Sequence, residues 1–207
     1  MKKLLLLIFP VLLMIRAEAQ TPYSFQNDTT YKSDHFEGLK LVNQHRLNDY
    51  DFQLRFITGD GLRIISKVYY LIITYDKGKW SAMRYTFIGE AGHSFMGKIT
   101  IDSSDIHIDS YPSLFRQLAA DSLFSLHSID GMDIMRLQKA RGDSEISIVM
   151  DGGGYAMELL SPMNKRKVTY SNPVSYYKAT HLTELQRPVA IITKLIEVMG
   201  MKDHEMF

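Results

Sequence analysis

The segment 68–75 constrains the fold of this chain most strongly, because it is apolar on both sides of any strand that it forms. Successive side chains of a strand point to opposite faces of the sheet. One face would carry Val68, Tyr70 and Ile72, and the other would carry Tyr69, Leu71, Ile73 and Tyr75. A strand with one solvent face alternates between apolar and polar residues, so this strand is expected to be covered on both faces. The expected covers are the C-terminal helix on one face and loops or a second sheet layer on the other.

Neighbouring segments predict further antiparallel strands. Residues 51–58 alternate between apolar and polar side chains, as a half-buried strand does. The turn Asp76-Lys77-Gly78-Lys79 joins the doubly apolar strand to the next one, which predicts a β-hairpin. The predicted strands of this half cover residues 51–58, 62–75, 80–88, 98–101 and 106–108.

The second half of the chain combines strands with helices. Glycines at 152–154 predict the turn of a second hairpin. The predicted strands of this half cover residues 145–150, 155–160 and 167–170. One internal helix is expected to start near Pro112 and to end between residues 120 and 125, whereas 131–142 is predicted to be irregular.

The clearest helical pattern lies near the C-terminal end. Its apolar stripe, at 3.6-residue spacing, consists of Leu185, Val189, Ile192, Leu195, Ile196 and Met199. Thr183 and Gln186 would form a capping box at its start, and Gly200 follows its end. The predicted fold class is therefore α+β, an antiparallel β-meander sheet packed against a C-terminal amphipathic helix, with one internal helix.

The start of the chain has the three parts of a secretory signal peptide. A basic start at Lys2 is followed by an apolar run over 4–15 and by a small-x-small site that ends at Ala19. This run is shorter than the roughly 20 residues that span a bilayer, so we expect cleavage after Ala19 and no membrane anchor afterwards. The protein is predicted to be exported to the periplasm or out of the cell. An extended or mobile lead-in at 20–35 then precedes a single globular domain at 36–207.

Composition excludes several familiar classes of chemistry. The chain has no Cys, which rules out disulfide scaffolds, thiolate metal sites, cysteine nucleophiles and a bacterial lipid anchor. Its net charge of +1 leaves no basic footprint for nucleic acid. Its 7 His include no pair at the i,i+4 spacing of a zinc protease. The sequence therefore predicts no metal site and no cofactor.

An enzymatic role would depend on residues that only the fold could bring together. The segment 92–97 is similar to a nucleophile elbow, but its second glycine comes one residue too late for the G-x-S-x-G pattern. One alternative is nevertheless an envelope hydrolase acting on a glycan, peptide or ester. In that case Glu90, His93, Asp102 and Asp105 are the first catalytic candidates.

A non-enzymatic binding or interaction role is favoured, because no set of catalytic residues has the spacing that its chemistry requires. Tyr69, Tyr75 and Trp80 are candidates for an exposed aromatic patch that contacts a ligand or a partner. The partner would be another protein, or a small apolar or glycan ligand. A second alternative is a carrier of an apolar ligand, which would need a cavity between the sheet and the helix.

Several turns and core positions resemble those of small exported proteins of Bacteroidota that have no assigned function. They are the hairpin at 75–80, the turn at 151–152 followed by Tyr155, and the segment 169–173 with Tyr176 before the C-terminal helix. The resemblance implies a bacterial source and an exported location. It implies no catalytic residues.

Overall fold

A computed structural model describes residues 23–28, 50–59, 65–90, 100–149 and 153–201. The strands are β1 (Phe52–Gly59), β2 (Ile65–Asp76), β3 (Lys79–Glu90), β4 (Thr100–Asp105), β5 (Gly154–Leu160) and β6 (Lys165–Ser171). The α-helices of the described residues are α1 (Tyr111–Ala120), α2 (Gly131–Arg141), α3 (Pro173–Thr180) and α4 (Thr183–Val198). The six strands form one antiparallel sheet in the order β4-β3-β2-β1-β5-β6. The fold is α+β with an antiparallel sheet and a C-terminal helix, as predicted.

The hairpin of β2 and β3 confirms the prediction from the turn sequence. Lys77 and Gly78 both have positive φ, at 47° and 81°, the left-handed conformation that two-residue hairpin turns require. The backbone N–H of Lys77 donates to Oδ2 of Asp51 at 2.9 Å. This bond ties the turn to the residue before β1, so the three strands are fixed to one another at this end of the sheet.

The first face of the sheet, which carries Leu71 and Ile73 of β2, is covered by helices. Both side chains are 0% exposed. They belong to the main hydrophobic cluster, together with Phe115 and Leu118 of α1 and Ile192 of α4. The C-terminal helix α4 therefore covers this face as predicted, and α1 shares the same face.

The second face, which carries Tyr70 and Ile72 of β2, is buried as well. Tyr70 is 5% exposed and Ile72 is 4% exposed. They form a separate cluster with Tyr85 and Phe87 of β3 and Ala156 of β5. Burial raises the pKa of the Tyr70 phenol to about 12. The two apolar sides of β2 thus lie in two different clusters and are buried at the centre of the strand, as predicted. All members of the second cluster belong to the sheet, so this cluster does not include the predicted cover of loops or a second sheet layer.

The prediction of an irregular stretch at 131–142 is wrong, because α2 occupies most of it. The side chain of Asp130 accepts the backbone N–H of Asp133 at 2.8 Å, and that of Asp133 accepts the backbone N–H of Asp130 at 3.2 Å. This capping box starts the helix. Only Ile134 and Gln138 of α2 are buried, so the sequence shows no apolar stripe there.

The structure also differs from expectation around α3 and the start of α4. Asn172 has φ 51°, and Pro173 lies in the first turn of α3, so the chain passes directly from β6 into a helix. Three α-helices of the described residues, rather than one, therefore precede α4, together with a short 3-10 helix at Leu123–Ser125. The capping box predicted for Thr183 and Gln186 is also wrong, because α4 starts without a side-chain cap. The Thr183 hydroxyl instead bonds to the carboxylate of Glu184 at 3.3 Å.

Two predicted strands do not form in the described residues. Neither 106–108 nor 145–149 contains a strand, and β5 pairs with β1 and β6 instead of forming the predicted hairpin with 145–150. The buried amide of Gln138 donates to the Ser147 carbonyl at 3.0 Å and accepts its backbone N–H at 2.8 Å. This segment thus pairs with a helix side chain where a strand partner was expected.

The start of the described chain packs on the main cluster. Residues 23–28, part of the predicted lead-in, form neither helix nor strand. Phe25 is 6% exposed and belongs to the main cluster. The predicted signal peptide and its cleavage site at Ala19 lie outside the described residues. The helices that the structure describes are all too short or too polar to cross a membrane.

Candidate ligand-binding site

The candidate catalytic residues form no site within the described chain. Asp102 and Asp105 are both exposed on β4. They are three residues apart on a strand, so their carboxylates project to opposite faces of the sheet. The side chain of Glu90 and all of His93 lie outside the described residues. The ranges that the structure describes contain no group of three His, Asp or Glu side chains that could hold a metal ion.

The predicted aromatic residues separate into a pair and a distant member. Tyr75 and Trp80 lie directly opposite each other on β2 and β3, with ring centroids 4.9 Å apart. Tyr69 is on the same face but lies about 20 Å away along β2, at roughly 3.3 Å per residue. All three side chains are only partly exposed and pack against the main cluster. They therefore do not form one continuous surface patch.

Trp80 is covered by rings that its sequence neighbours do not supply. Its ring stacks on Tyr111 at 5.2 Å and 11°, and on Phe115 at 5.0 Å and 29°. Tyr23, from the start of the described chain, contacts it edge-on at 6.2 Å. Burial raises the pKa of the Tyr23 and Tyr111 phenols. This aromatic cluster links the sheet, α1 and the lead-in, and its rings pack against one another.

A buried polar row crosses the second face of the sheet. Glu158 of β5 is 0% exposed and lies opposite Arg55 of β1, whose Nη1 is 3.5 Å from Glu158 Oε2. Arg55 Nε donates to Gln53 Oε1 at 2.6 Å, and Gln53 Nε2 donates to Thr74 Oγ1 at 2.9 Å. Burial raises the pKa of the nearby Tyr50 phenol, with Arg55 opposing the rise and Glu158 adding to it. A buried carboxylate requires a paired cation, so we interpret this row as a structural network whose members bind one another.

A cleft of about 270 Å³ lies along the outer edge of β6. Its lining comes from three separate segments, residues 26–28, 126–128 and 166–168. Seven of the nine lining side chains are polar, and the two apolar ones are Leu126 and Val168. These segments are far apart in the chain and none contains a motif, so no role was predicted for them. The cleft is therefore a product of the fold.

Hydrogen bonds to β6 hold two walls of the cleft in place. On one side, Asn27 Oδ1 accepts the backbone N–H of Lys165 at 3.0 Å, and the backbone N–H of Asp28 donates to the Lys165 carbonyl at 2.8 Å. On the other side, Ser128 Oγ accepts the backbone N–H of Thr169 at 3.0 Å. Both walls are thus bonded to the peptide groups of the edge strand, which fixes the width of the cleft.

Arg166 fixes the loop that carries His127. Its Nη1 donates to the carbonyl of Phe124 at 2.9 Å, and its Nη2 donates to the carbonyl of Leu126. A guanidinium that donates to two backbone carbonyls restrains both of them at once, because its donors are coplanar. His127 therefore projects from a loop whose backbone is held on the strand side.

Two side chains of the cleft remain available for a ligand. Gln26 and His127 are exposed, and within the described residues neither forms a hydrogen bond or an ion pair. The amide of Gln26 can both donate and accept hydrogen bonds, and a neutral imidazole can do the same through its two nitrogens. The cleft thus combines fixed walls with two free polar groups.

No protein-family model matches this chain, and a search of curated proteins finds no significant match. The chemistry of the cleft is therefore derived from its own residues. Most small-molecule sites are lined mainly by apolar side chains with a few polar groups, so a cleft with seven polar lining side chains suits a polar ligand.

Proposed function

We propose that this chain is an exported, non-enzymatic binding protein that holds a small polar ligand in the cleft along β6. The observation that carries this proposal is the contrast between the fixed walls of the cleft and its two free side chains. Asn27, Ser128 and Arg166 are bonded to backbone groups, whereas Gln26 and His127 form no bond in the described chain. A site with fixed walls loses little conformational entropy when a ligand binds.

The size of the cleft restricts the ligand to a small molecule. A volume of about 270 Å³ is close to the lower limit of ordinary ligand pockets, roughly 300 Å³. Water occupies about 30 Å³ per molecule in the liquid, so the ligand would replace roughly nine waters. This size fits a monosaccharide or a dipeptide.

The lining of the cleft favours a ligand that forms many hydrogen bonds. Amide, hydroxyl, carboxylate, imidazole and cationic side chains surround it, and only two of its side chains are apolar. Hydroxyl and amide groups of a sugar or a peptide would match this lining, whereas an apolar ligand would leave the polar groups without partners. A glycan fragment or a short peptide is therefore preferred to the apolar ligand of a carrier.

The binding role is preferred to hydrolysis because of how the acids are placed. Asp102 and Asp105 project to opposite faces of an edge strand and are exposed. General acid–base catalysis requires two groups that reach the same reacting bond. The cleft does contain His127 and Ser128, but Ser128 Oγ accepts the backbone N–H of Thr169 and thereby holds one wall of the cleft against β6.

Titration by NMR tests the proposal. The probes are N-acetylglucosamine and glycylglycine, added to 15N-labelled protein, with the backbone amide shifts followed residue by residue. We expect one of the two to shift the amides of 26–28, 126–128 and Lys167 in a saturable way. His127→Ala is expected to weaken that binding roughly tenfold, the loss of about one hydrogen bond. His107→Ala, a change of another exposed histidine outside the cleft, is the matched control and should have no effect.

The opposite results would overturn the proposal. If neither probe shifts the cleft amides at millimolar concentration, the cleft does not bind this class of ligand. If His107→Ala weakens binding as much as His127→Ala does, the probe binds elsewhere.

The exported location has a separate test. The intact mass of the protein recovered from the periplasm or the medium should correspond to a chain that begins at Gln20, because the leader pattern places cleavage after Ala19. Recovery from the cytoplasm of a chain that still begins at Met1 would contradict the proposed export.

A further inference from the structure

Strand β4 is an open edge of the sheet. In an antiparallel pair, alternate residues direct both of their peptide groups toward the partner strand, and the others direct them away. The backbone N–H of Ile106, just after β4, donates to the Ala82 carbonyl at 2.9 Å. Residues 104 and 102 therefore also bond to β3, and Ile101 and Ser103 direct their peptide groups outward.

At Ile101 and Ser103, the outward peptide groups of β4 have no hydrogen-bond partner within the residues that the structure describes. Ser103 and its neighbour Asp102 are exposed, so solvent reaches the strand. Such a row of free donors and acceptors is a template for another strand.

The open edge is acidic. Asp102, Asp105 and Asp109 are all exposed, with Asp102 and Asp105 on opposite faces of the strand, and the chain contains no Lys or Arg between positions 99 and 115. Asp102 forms no ion pair within the described chain. The segment therefore presents hydrogen-bonding peptide groups together with a local negative charge.

We propose that β4 accepts an extended, basic segment of a partner protein by strand addition. The main-chain groups of Ile101 and Ser103 would pair with the added strand. The carboxylates of Asp102 and Asp105 would select lysine or arginine side chains on its two faces, because cross-strand pairs of opposite charge attract. This surface is distinct from the cleft, which lies at the other edge of the sheet.

A basic partner fits this edge better than a second copy of the chain does. Pairing of β4 with β4 of another copy would bring four carboxylates, Asp102 and Asp105 of each copy, onto one two-stranded ribbon. Like charges on neighbouring strands oppose pairing, and charged residues on edge strands commonly prevent self-association. The same charges attract a cationic strand.

A model peptide tests the proposal. The probe is a blocked six-residue peptide of alternating Lys and Val, titrated into 15N-labelled protein at low salt. We expect saturable shifts of the Ile101 and Ser103 amides. An alternating Glu and Val peptide should not bind, and a Lys and Val peptide with all backbone nitrogens methylated should bind at least tenfold more weakly, because it keeps the charge and loses the donors.

Three variants separate the contribution of the backbone from that of the charge. Ser103→Pro removes an outward N–H that the sheet does not use, so the ladder with β3 remains while the added strand loses a partner. Ser103→Ala keeps that N–H and is its matched control. We expect Ser103→Pro to weaken peptide binding at least tenfold and Ser103→Ala to leave it unchanged. Asp102→Asn combined with Asp105→Asn should weaken it about fivefold at low salt and have little effect at 0.5 M salt.

The results of these experiments distinguish a basic partner strand at β4 from a second copy of the chain. Equal binding of the methylated peptide, or unchanged binding by Ser103→Pro, would show that no strand is added and would overturn the proposal. A concentration-dependent dimer in sedimentation that Ser103→Pro abolishes would assign the edge to a second copy and would also overturn it. If circular dichroism shows that Ser103→Pro does not fold, the methylated and acidic peptides on the unmodified protein decide.

Discussion

The two outer strands of the sheet meet the same physical problem in different ways. An edge strand directs half of its peptide groups away from the sheet, where another chain can pair with them. On β6, the outward N–H groups of Lys165 and Thr169 donate to side chains of Asn27 and Ser128, so the protein covers its own edge. On β4, the outward groups of Ser103 have no such cover, and charge protects the strand instead.

This difference shows how one architecture can produce two kinds of surface. Cover by separate chain segments leaves space between them, and on β6 that space is the cleft between the contacts at Lys165 and Thr169. An uncovered edge leaves a linear row of hydrogen-bonding groups, which suits an extended chain. A compact ligand is therefore expected at one edge and a strand at the other.

The largest expected effect on stability comes from replacing Phe25, which anchors residues 23–28 next to the edge strand β6. Phe25→Ala should lower the free energy of unfolding by about 3–4 kcal/mol, because a buried aromatic ring leaves a cavity in the main cluster. Ile101→Ala, on the open edge and only partly buried, should cost about 1–2 kcal/mol. Urea unfolding followed by circular dichroism measures both. Equal losses would mean that residues 23–28 add no more to stability than the uncovered edge does.

The sequence predicts best those parts of the fold in which a local pattern and the tertiary environment agree. Residues 51–58 alternate because β1 lies in a sheet, and the apolar 68–75 belongs to a strand buried on both faces. The turn at 77–78 needs a left-handed conformation, which Gly78 adopts without strain. In each case a few neighbouring residues contain the whole signal.

The predictions fail where contacts distant in sequence decide the structure. Helix α2 has no apolar stripe, and its local signs are confined to its ends, the capping box of Asp130 and Asp133 and the C-cap glycine Gly142. The burial of Glu158 depends on Arg55, more than a hundred residues away, so its strand was predicted but its network was not.

The candidate sites likewise depend on contacts between residues that are distant in the sequence. The cleft is made of three short segments that meet only in the folded chain, and none of them contains a motif. The alternation of Tyr23 and Phe25 is the one local feature that could have indicated a buried lead-in. Trp80 was predicted to belong to an exposed aromatic patch, but its ring is only partly exposed. It stacks on Tyr111 and Phe115 of α1, which no pattern near position 80 reveals.

An intermediate loss of stability is expected on replacing Arg166, whose guanidinium holds the loop before His127 against β6. Arg166→Met keeps most of the aliphatic chain but removes the donors to the Phe124 and Leu126 carbonyls. We expect a loss of about 2–3 kcal/mol in the free energy of unfolding, because two partly buried carbonyls lose a charged partner. Arg136→Met is the matched control. It removes an exposed ion pair with Asp133 on α2 and should cost less than about 0.5 kcal/mol. Similar losses for the two variants would show that Arg166 does not restrain the loop.

The smallest expected effect is on hydrogen exchange at the two edges. In the unmodified protein, the amides of Lys165 and Thr169 should exchange more slowly than those of Ile101 and Ser103, because only the first pair donates to side chains. Asn27→Ala should accelerate exchange at Lys165 roughly fivefold, equivalent to the net value of one hydrogen bond, about 1 kcal/mol. Exchange at Ser103 serves as the internal control, since its outward N–H has no partner to lose. If Lys165 already exchanges as fast as Ser103 before the substitution, side-chain cover does not close the β6 edge. The two strands would then differ in charge alone, and the cleft would be as open to an added strand as β4 is.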